Sequence, residues 1–345
     1  MTIKSHIQQI DKATRAWFRA DNILLKEAIE QTVAEGLFTF EDIKFAIRAL
    51  KEKVYAGQVA EWAERAGLSE EHHQKGKKVL CLHAGNLPMV GFQDALGTIL
   101  SGANYYGKLS SKDPYLLAAF LDALKNAGVS TNIDYSTDLN SFKDLKADKV
   151  LFAGSEQSVE PVKLKLSELN AITDETAFDI RTAKFSIAYI TSEDSDVVTD
   201  LVEAIFRYGG QGCRSVAVVV SPIKFSNLKC HFQDYIEAFW LKNPPTKKYT
   251  SAIEYQFAYN KAIERDQAWL DHFLIQDSED FPELDSTLHW VQGDENKVKE
   301  LVQKFGAAVQ TVYTAGEKIA GLKTDFLSQA QTPNLWWEPD RKPVI

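Results

Sequence analysis

Cys213 is the side chain of this sequence best placed to do chemistry, because it stands in a turn rich in glycine. Gly209, Gly210 and Gly212 precede it, and the β-branched run 216–220 that follows is predicted to be a buried strand. Glycine lets a backbone turn tightly and lets a substrate approach closely. The thiol is therefore expected to be rigidly held and reachable, as a nucleophile must be. The alternative is a structural cysteine, since cysteines outside disulfides are often simply buried.

Composition and charge limit the class of protein. A chain of 345 residues is too long for one simple core, so we expect two domains or one large α/β unit. The net charge of −9 and the short, isolated basic clusters at 75–78 and 247–248 argue against a nucleic-acid partner. No stretch approaches the roughly 20 apolar residues of a membrane helix, and no apolar run follows the first residues. We therefore expect neither a membrane span nor a signal peptide.

The cysteines and histidines indicate a reducing compartment and no metal. Cys81, Cys213 and Cys230 are too few and too scattered for a disulfide framework. None of the seven histidines has metal-ligand spacing with a cysteine, and the adjacent Cys230 and His231 point in different directions. We expect a cytoplasmic protein with reduced thiols.

Two patterns of apolar residues follow each other along the chain. Residues 7–70 are predicted to be helical, with one apolar face on Ile43, Ala46, Ile47, Leu50 and Val54, and we interpret them as a packing layer. From about residue 78, helices alternate with predicted strands at 79–83, 104–108, 129–133, 149–153, 185–190, 216–220, 288–292 and 308–313. Such alternation is typical of an α/β fold with a parallel, doubly wound sheet.

Three of the strand-to-helix turns carry residues that suit a ligand. In a doubly wound sheet these turns meet at one edge, where such folds bind ligands. The turns hold Asn86, Lys108 and the pair Gly154-Ser155, and a helix that opens with Gly-Ser offers backbone N–H groups to a phosphate. Each residue also has a plainer explanation, because Asn beside Gly is common in turns and a lone Lys usually faces solvent.

Four ordered motifs give the sequence its resemblance to a known family. They are Gly85-Asn86-Leu87-Pro88, Gly107-Lys108-Leu109-Ser110-Ser111, Phe152-Ala153-Gly154-Ser155 and Gly209-Gly210-Gln211-Gly212-Cys213. In this order they resemble the aldehyde dehydrogenase superfamily. Within it, the chain looks most like the acyl-CoA reductase family, the long-chain fatty-acid reductases that supply aldehyde to bacterial bioluminescence. The resemblance spans roughly residues 78–221, and the tail 331–337 also looks family-like.

The resemblance implies a domain order and a role for each motif. Residues 1–75 would be a helical N-terminal region, 76–207 an NAD(P)-binding domain, 208–320 a catalytic domain, and 321–345 a tail packing on the body or on a partner subunit. Cys213 would be the nucleophile. Asn86 and the backbone N–H of Cys213 would form the oxyanion hole. Lys108 would contact the adenosine ribose, and Gly154 and Ser155 would lie beside the pyrophosphate.

Departures from the superfamily pattern refine the expected reaction. Val159 stands where the phosphate loop usually has a second glycine, so the phosphate contact is expected to be looser. The segment 179–186 lacks the glutamate that activates water in hydrolytic members, which fits a thioester reductase, although Glu175 lies nearby in sequence. Ser111 replaces a glutamate of many NAD-preferring members. With Lys112 beside it, Ser111 favours NADPH, because no carboxylate opposes a 2′-phosphate.

The sequence thus predicts an NADPH-dependent acyl-CoA reductase that works through an acyl-enzyme on Cys213. Two alternatives stay open: an acyl-phosphate reductase, and a non-catalytic binding protein that kept the fold. Aromatic residues between 225 and 273 favour an apolar tunnel for long acyl chains, unless they are ordinary core. The superfamily and the tryptophan-bearing tail suggest a homodimer.

Overall fold

The computed structural model describes residues 2–244, 251–270, 273–283 and 285–336, apart from the side chains of 227–231. The chain forms two compact units. Unit 1 contains the residues up to Thr182 together with those from Pro333 onward, and unit 2 contains Ala183–Thr332. The division therefore falls earlier than the expected boundary at 207. The reason is that the strand after Thr182 pairs with the strand that follows Cys213.

Unit 1 begins with four helices: α1 Ile3–Trp17, α2 Ile23–Ala34, α3 Phe40–Tyr55 and α4 Gln58–Arg65. The Thr39 hydroxyl caps α3 by accepting the Asp42 N–H at 2.9 Å. The predicted apolar face of α3 is confirmed, since Ile43 and Val54 are fully buried in the core that these helices share with one face of the sheet.

The sheet of unit 1 has five strands and three covering helices: β1 Lys78–Leu82, α5 Phe92–Leu100, β2 Asn104–Lys108, α6 Leu116–Asn126, β3 Ile133–Ser136, β4 Lys149–Ala153, α7 Val159–Glu168 and β5 Ala177–Arg181. All neighbours are parallel, in the order β3-β2-β1-β4-β5. Side chains of β1 alternate between two cores, with Val79 and Cys81 towards α5 and α6, and Leu80 and Leu82 towards α7. The predicted doubly wound arrangement is confirmed, and the strand order reverses between β1 and β4.

Unit 2 carries a second sheet, with order β12-β11-β6-β7-β10-β9-β8. Its elements are β6 Phe185–Tyr189, α8 Ser195–Phe206, β7 Val216–Ser221, α9 Phe225–Lys242, α10 Ser251–Ala262, β8 Gln267–Leu270, β9 Phe273–Asp277, β10 Thr287–Gln292, α11 Glu295–Phe305, β11 Val309–Thr314 and β12 Thr324–Phe326. The strands are parallel except β8, which pairs antiparallel with β9 at one edge.

The region after β7 is less helical than its sequence suggests. The expectation of a mostly helical stretch to about Leu274 is wrong at its end, where β8 and β9 form an antiparallel pair. The apolar run 273–275 supplies the buried centre of β9. The predicted helix break covers Asn243, Pro244 and Pro245, of which Pro245 lies outside the described residues. Phe239, Trp240 and Phe273 pack around Phe206, whose ring centroid is 4.8 Å from that of Phe273, so these three aromatic side chains belong to the core. Tyr255 and Tyr259 are exposed.

Helix α10 is held by a buried polar network. The Asn260 amide, fully buried, donates to Gln276 Oε1 at 2.6 Å. Gln276 Nε2 lies 2.7 Å from His289 Nε2, and His289 Nδ1 lies 2.9 Å from the Asp280 carbonyl oxygen. A histidine that donates from Nδ1 and accepts at Nε2 satisfies both neighbours in its neutral form. Burial lowers the pKa of His289 to about 4, with the Asp280 carbonyl opposing the shift.

The residues from Pro333 onward return to unit 1. The Gln58 amide donates to Asn334 Oδ1 at 2.8 Å and accepts the Leu335 N–H at 3.0 Å, while Gln93 donates to the Asn334 carbonyl oxygen at 3.0 Å. Leu335 is buried, and the Trp336 ring lies under Arg65. Trp337 lies outside the described residues. In the described part of the chain, every helix is too short or too polar to cross a membrane.

Candidate active site

The turn that presents Cys213 is built from left-handed residues. Tyr208, Gly209, Gly210 and Gly212 have φ of 58°, 68°, 73° and 99°. Glycine adopts such angles without strain, whereas a tyrosine is strained at a positive φ. This run ends α8 and reverses the chain before β7. Cys213 is half-buried, and both it and the buried Cys81 are thiols.

Two serines hold the carbonyl groups of this turn. The Ser186 hydroxyl on β6 donates to the Cys213 carbonyl oxygen at 2.9 Å. The Ser215 hydroxyl donates to the Gln211 carbonyl oxygen at 2.7 Å, and the Ser215 N–H donates to that of Gly212 at 3.0 Å. Because three successive carbonyls are fixed, the peptide planes around Cys213 have defined orientations. The backbone N–H of Cys213, which shares a peptide plane with the Gly212 carbonyl, is thus preorganised.

Charged and phenolic groups surround the turn. Arg207, at its start, donates from Nε to Glu203 at 2.5 Å and from Nη1 to Asn243 at 2.7 Å. The Tyr313 ring is fully buried, and burial raises its pKa, with the Arg214 charge opposing and the charge of Cys213 adding to the rise. Tyr313 is therefore a neutral phenol near the thiol.

A pair of glycine variants tests how closely the turn is packed. A Cβ at Gly210 would lie 3.1 Å from the Ile205 carbonyl oxygen and from the Phe273 ring, whereas one at Gly209 meets nothing within 4 Å. We expect Gly210→Ala to lower the free energy of unfolding by about 2–3 kcal/mol and Gly209→Ala by about 1 kcal/mol. Both alanines are strained at a left-handed φ, but only the one at 210 also clashes with Ile205 and Phe273. Urea unfolding of both variants measures the difference. Equal losses would contradict the packing seen at Gly210.

The carboxyl edge of the first sheet brings the other predicted residues together. Leu82 is in register with Lys108 on one side and Phe152 on the other, so the ends of β2, β1 and β4 lie side by side. Asn86 follows β1 and is exposed, and Lys108 ends β2 and is half-buried. Three further predicted residues, all exposed, follow β2 or β4 at this same edge: Ser111, Gly154 and Ser155. Cys213 belongs to unit 2, and its pairing with Asn86 is part of the function proposed below.

The turns after β1 and β2 are packed against each other. A Cβ at Gly85 would lie 2.2 Å from Ser110 Oγ, so only glycine permits this approach. Met89, with φ of 59°, donates its N–H to Asp113 Oδ2 at 2.9 Å. Burial raises the pKa of Asp113 to about 6, and the bond from Met89 opposes the shift. The loop bearing Asn86 is therefore held at both its ends.

The turn after β4 differs from its sequence prediction. Gly154 and Ser155 do not open an α-helix directly, because a 3-10 turn at Glu156–Ser158 comes first. Ser155 Oγ bonds to Ser158 Oγ at 2.6 Å, which favours the tighter turn. Helix α7 begins at Val159, the position where the phosphate loop of the superfamily usually has a second glycine.

Two polar pairs beneath this edge, one buried and one partly buried, were not predicted from the sequence. His83 Nε2 lies 2.6 Å from the Tyr105 hydroxyl, and Arg181 Nη2 lies 2.6 Å from Asp94 Oδ2. Burial lowers the pKa of His83 to about 4, so this imidazole is neutral. The predicted strand 79–83 placed His83 at a strand end, which was the available signal. Its partner Tyr105 is in register with Val79 rather than with His83, so strand pairing does not reveal the contact.

The comparison with protein families decides the identity of the fold and the class of reaction. The sequence model of the acyl-CoA reductase (LuxC) family matches residues 6–224, more than half of the chain. The chain belongs to this family. It is an oxidoreductase, and the resemblance stated from the sequence is confirmed. No curated protein matches the sequence of this family member.

Solved structures similar to this acyl-CoA reductase family member include aldehyde dehydrogenases. Staphylococcus aureus AldH has 11% identity and a TM-score of 0.58, with coverage of 94% of this chain and 80% of that one. A 1-pyrroline-5-carboxylate dehydrogenase from Thermus with bound NAD has 12% identity, a TM-score of 0.59 and coverage of 92% and 70%. Lactaldehyde dehydrogenase from Escherichia coli has 12% identity, a TM-score of 0.58 and coverage of 92% and 74%. These likenesses establish the aldehyde-dehydrogenase-like α/β fold.

Proposed function

We propose that this protein reduces an acyl-CoA thioester to an aldehyde through an acyl-enzyme on Cys213, with NADPH as the reductant. The observation that carries the proposal is the Cys213 turn. A half-buried thiol stands on a left-handed turn whose carbonyl groups are fixed by Ser186 and Ser215, in a chain of the acyl-CoA reductase family.

In the first step, the Cys213 sulfur attacks the carbonyl carbon of the thioester. A new carbon–sulfur bond forms, the electron pair moves to the carbonyl oxygen, and the coenzyme A thiol leaves as the carbonyl re-forms. The Asn86 side-chain amide and the backbone N–H of Cys213 donate to the developing oxyanion. Each such donor is worth about 2.7–4 kcal/mol in comparable sites.

The edge of the first sheet fits a nicotinamide cofactor. Its strand order reverses between β1 and β4, which is where doubly wound sheets bind nucleotides. Gly154 exposes backbone beside β4, Ser155 adds a hydroxyl, and Lys108 adds a cation at the end of β2. A bound reduced cofactor would supply a hydride to the acyl carbon. The thiohemiacetal on Cys213 would then collapse to the aldehyde and the regenerated thiol.

The position of Glu175 supports reduction over hydrolysis. Glu175 is exposed and precedes β5, so it lies at the amino edge of the first sheet. A five-residue strand separates it by roughly 15 Å from the carboxyl edge that carries Asn86. The segment 179–186 also lacks a glutamate. Neither this segment nor Glu175 therefore supplies a base that could activate water to hydrolyse the acyl-enzyme.

Intact mass spectrometry tests the proposal directly. The protein is mixed with acyl-CoAs of several chain lengths without cofactor, and in parallel with an acyl phosphate. We expect a mass gain of one acyl group from at least one acyl-CoA, located on Cys213 by peptide mapping. A gain from the acyl phosphate alone would favour an acyl-phosphate reductase. No gain from either would favour a non-catalytic protein.

The preference for NADPH gives a second prediction. We expect Ser111→Glu to raise the KM for NADPH by about 10-fold or more and to leave that for NADH little changed, because a new carboxylate repels the 2′-phosphate. The matched control is Ser167→Glu, which adds the same charge at an exposed serine near the far end of α7. Steady-state kinetics with both cofactors measures the shift. An unchanged KM for NADPH would remove Ser111 from the cofactor site.

A further inference from the structure

Helix α8 ends directly before the Cys213 turn and needs donors for its last carbonyl groups. A helix leaves its final four carbonyls without partners inside the helix. The Arg207 N–H donates to the Glu203 carbonyl oxygen, and the left-handed Tyr208 then diverts the chain. The carbonyl of Ala204, in this last turn, accepts from a donor outside the helix.

That donor is a glutamine far along the chain. Gln331 Nε2 donates to the Ala204 carbonyl oxygen at 3.1 Å, and the Gln331 residue is only 5% exposed. Leu327 and Ala330, both buried, pack in the same core as Ile205 and Phe206 of α8. Gln331 thus caps the carboxyl end of α8 from a segment that is itself firmly packed.

The cap lies next to the residues that orient the thiol. A Cβ at Gly210 would lie only 3.1 Å from the Ile205 carbonyl oxygen. The last turn of α8 therefore packs directly against the Cys213 turn. If the last turn of α8 becomes more mobile, the Ile205 carbonyl moves, and the orientation of Cys213 becomes less defined. Small displacements of a catalytic group have large effects on rate.

We propose that Gln331 is a positioning residue that holds the Cys213 turn through the end of α8. It touches neither substrate nor cofactor, and it acts through the Ala204 carbonyl. The effect on catalysis rests on the function proposed above, whereas the effect on the turn does not.

The test uses three variants of the full chain. Gln331→Met keeps length and volume but lacks the donor. Gln331→Glu can donate only when protonated. Gln329→Met is the matched control, because Gln329 is exposed two residues earlier. Amide hydrogen exchange is followed in a peptide covering residues 205–213, and the rate of acyl-enzyme formation is followed by intact mass over a range of acyl-CoA concentrations.

For Gln331→Met we expect exchange in residues 205–213 to be about five- to tenfold faster and maximal acylation to be about tenfold slower, with little change in the half-saturating acyl-CoA concentration. Gln329→Met should behave as the wild type. Gln331→Glu should approach the wild-type acylation rate as the pH falls, because a buried glutamic acid protonates above its usual pKa and regains a donor.

Three outcomes overturn the proposal. Unchanged exchange in Gln331→Met would show that the glutamine does not hold the turn. Faster exchange with unchanged acylation would leave Gln331 a purely structural cap. An equal response in Gln329→Met would show that the effect is not specific to the hydrogen bond. If the wild type is not acylated by any acyl-CoA, the proposed function fails, and the exchange rates alone decide whether Gln331 holds the turn.

Discussion

Replacing Cys213 with alanine is expected to lower the rate of aldehyde formation from acyl-CoA by at least about 10³-fold, because the attacking atom is removed and water cannot take its place in a reduction. The variant should still bind acyl-CoA and NADPH, since neither depends on the sulfur. Aldehyde is measured with a hydrazine trap, and cofactor oxidation is followed by absorbance.

Cys81 provides the matched control for this substitution. It is fully buried on β1, its sulfur lies 3.5 Å from the Thr98 hydroxyl, and burial raises the pKa of its thiol. A buried thiol kept protonated is a poor nucleophile. Cys81→Ala should therefore retain activity within about threefold while losing some stability. If Cys213→Ala retained activity and Cys81→Ala lost it, the nucleophile would have been assigned to the wrong unit.

Lowering the pH from 7.5 to 4 is expected to destabilise unit 2 by roughly 3 kcal/mol through His289 alone. The pKa of His289 is lowered from 6.5 to about 4, so the unfolded chain binds its proton more tightly than the folded one. Stability is therefore fully present above pH 6.5 and is lost progressively as the pH falls towards 4. In unit 1, the lowered pKa of His83 has the same sign, and the raised pKa of Asp113 partly offsets it.

The slope of stability against pH isolates this contribution. His289→Gln keeps amide hydrogen bonding but cannot titrate, so its urea-unfolding free energy should fall less steeply between pH 6.5 and 4 than that of the wild type. His72→Gln, at an exposed position, should leave the slope unchanged. The difference in slope, not the stability at one pH, is the measured quantity. Parallel curves for wild type and His289→Gln would show that His289 is not buried as a neutral group.

Local patterns predicted most elements and failed where distant residues decide. The apolar face of α3 and the buried runs of β1, β4 and β7 are properties of a few neighbouring residues, so their periodicity was sufficient. The β8–β9 pair was missed because it depends on antiparallel partners rather than on its own composition. The placement of Asn334 and Leu335 in unit 1 was also beyond local patterns, since Gln58 and Gln93 lie far away in sequence.

The candidate site shows the same division. The glycines beside Cys213 identified its turn. That turn precedes β7 and so lies at the amino edge of the second sheet, whereas doubly wound sheets usually bind ligands at the carboxyl edge. The left-handed Tyr208 had no sequence signal, because tyrosine rarely adopts that conformation. Ser186 and Gln331 were missed because each acts on the backbone of a residue distant in sequence, 27 and 127 positions away.

The return of the chain to unit 1 has a consequence for protein synthesis. Leu335 is buried in the core of unit 1, yet the ribosome adds it only after every residue of unit 2 has been made. Nascent domains generally fold in the order of their synthesis. Here the amino-terminal unit emerges first but lacks a piece of its core until unit 2 has emerged. Completion of unit 1 is therefore a late event, and a chain that stalls within unit 2 leaves the apolar site of Leu335 uncovered.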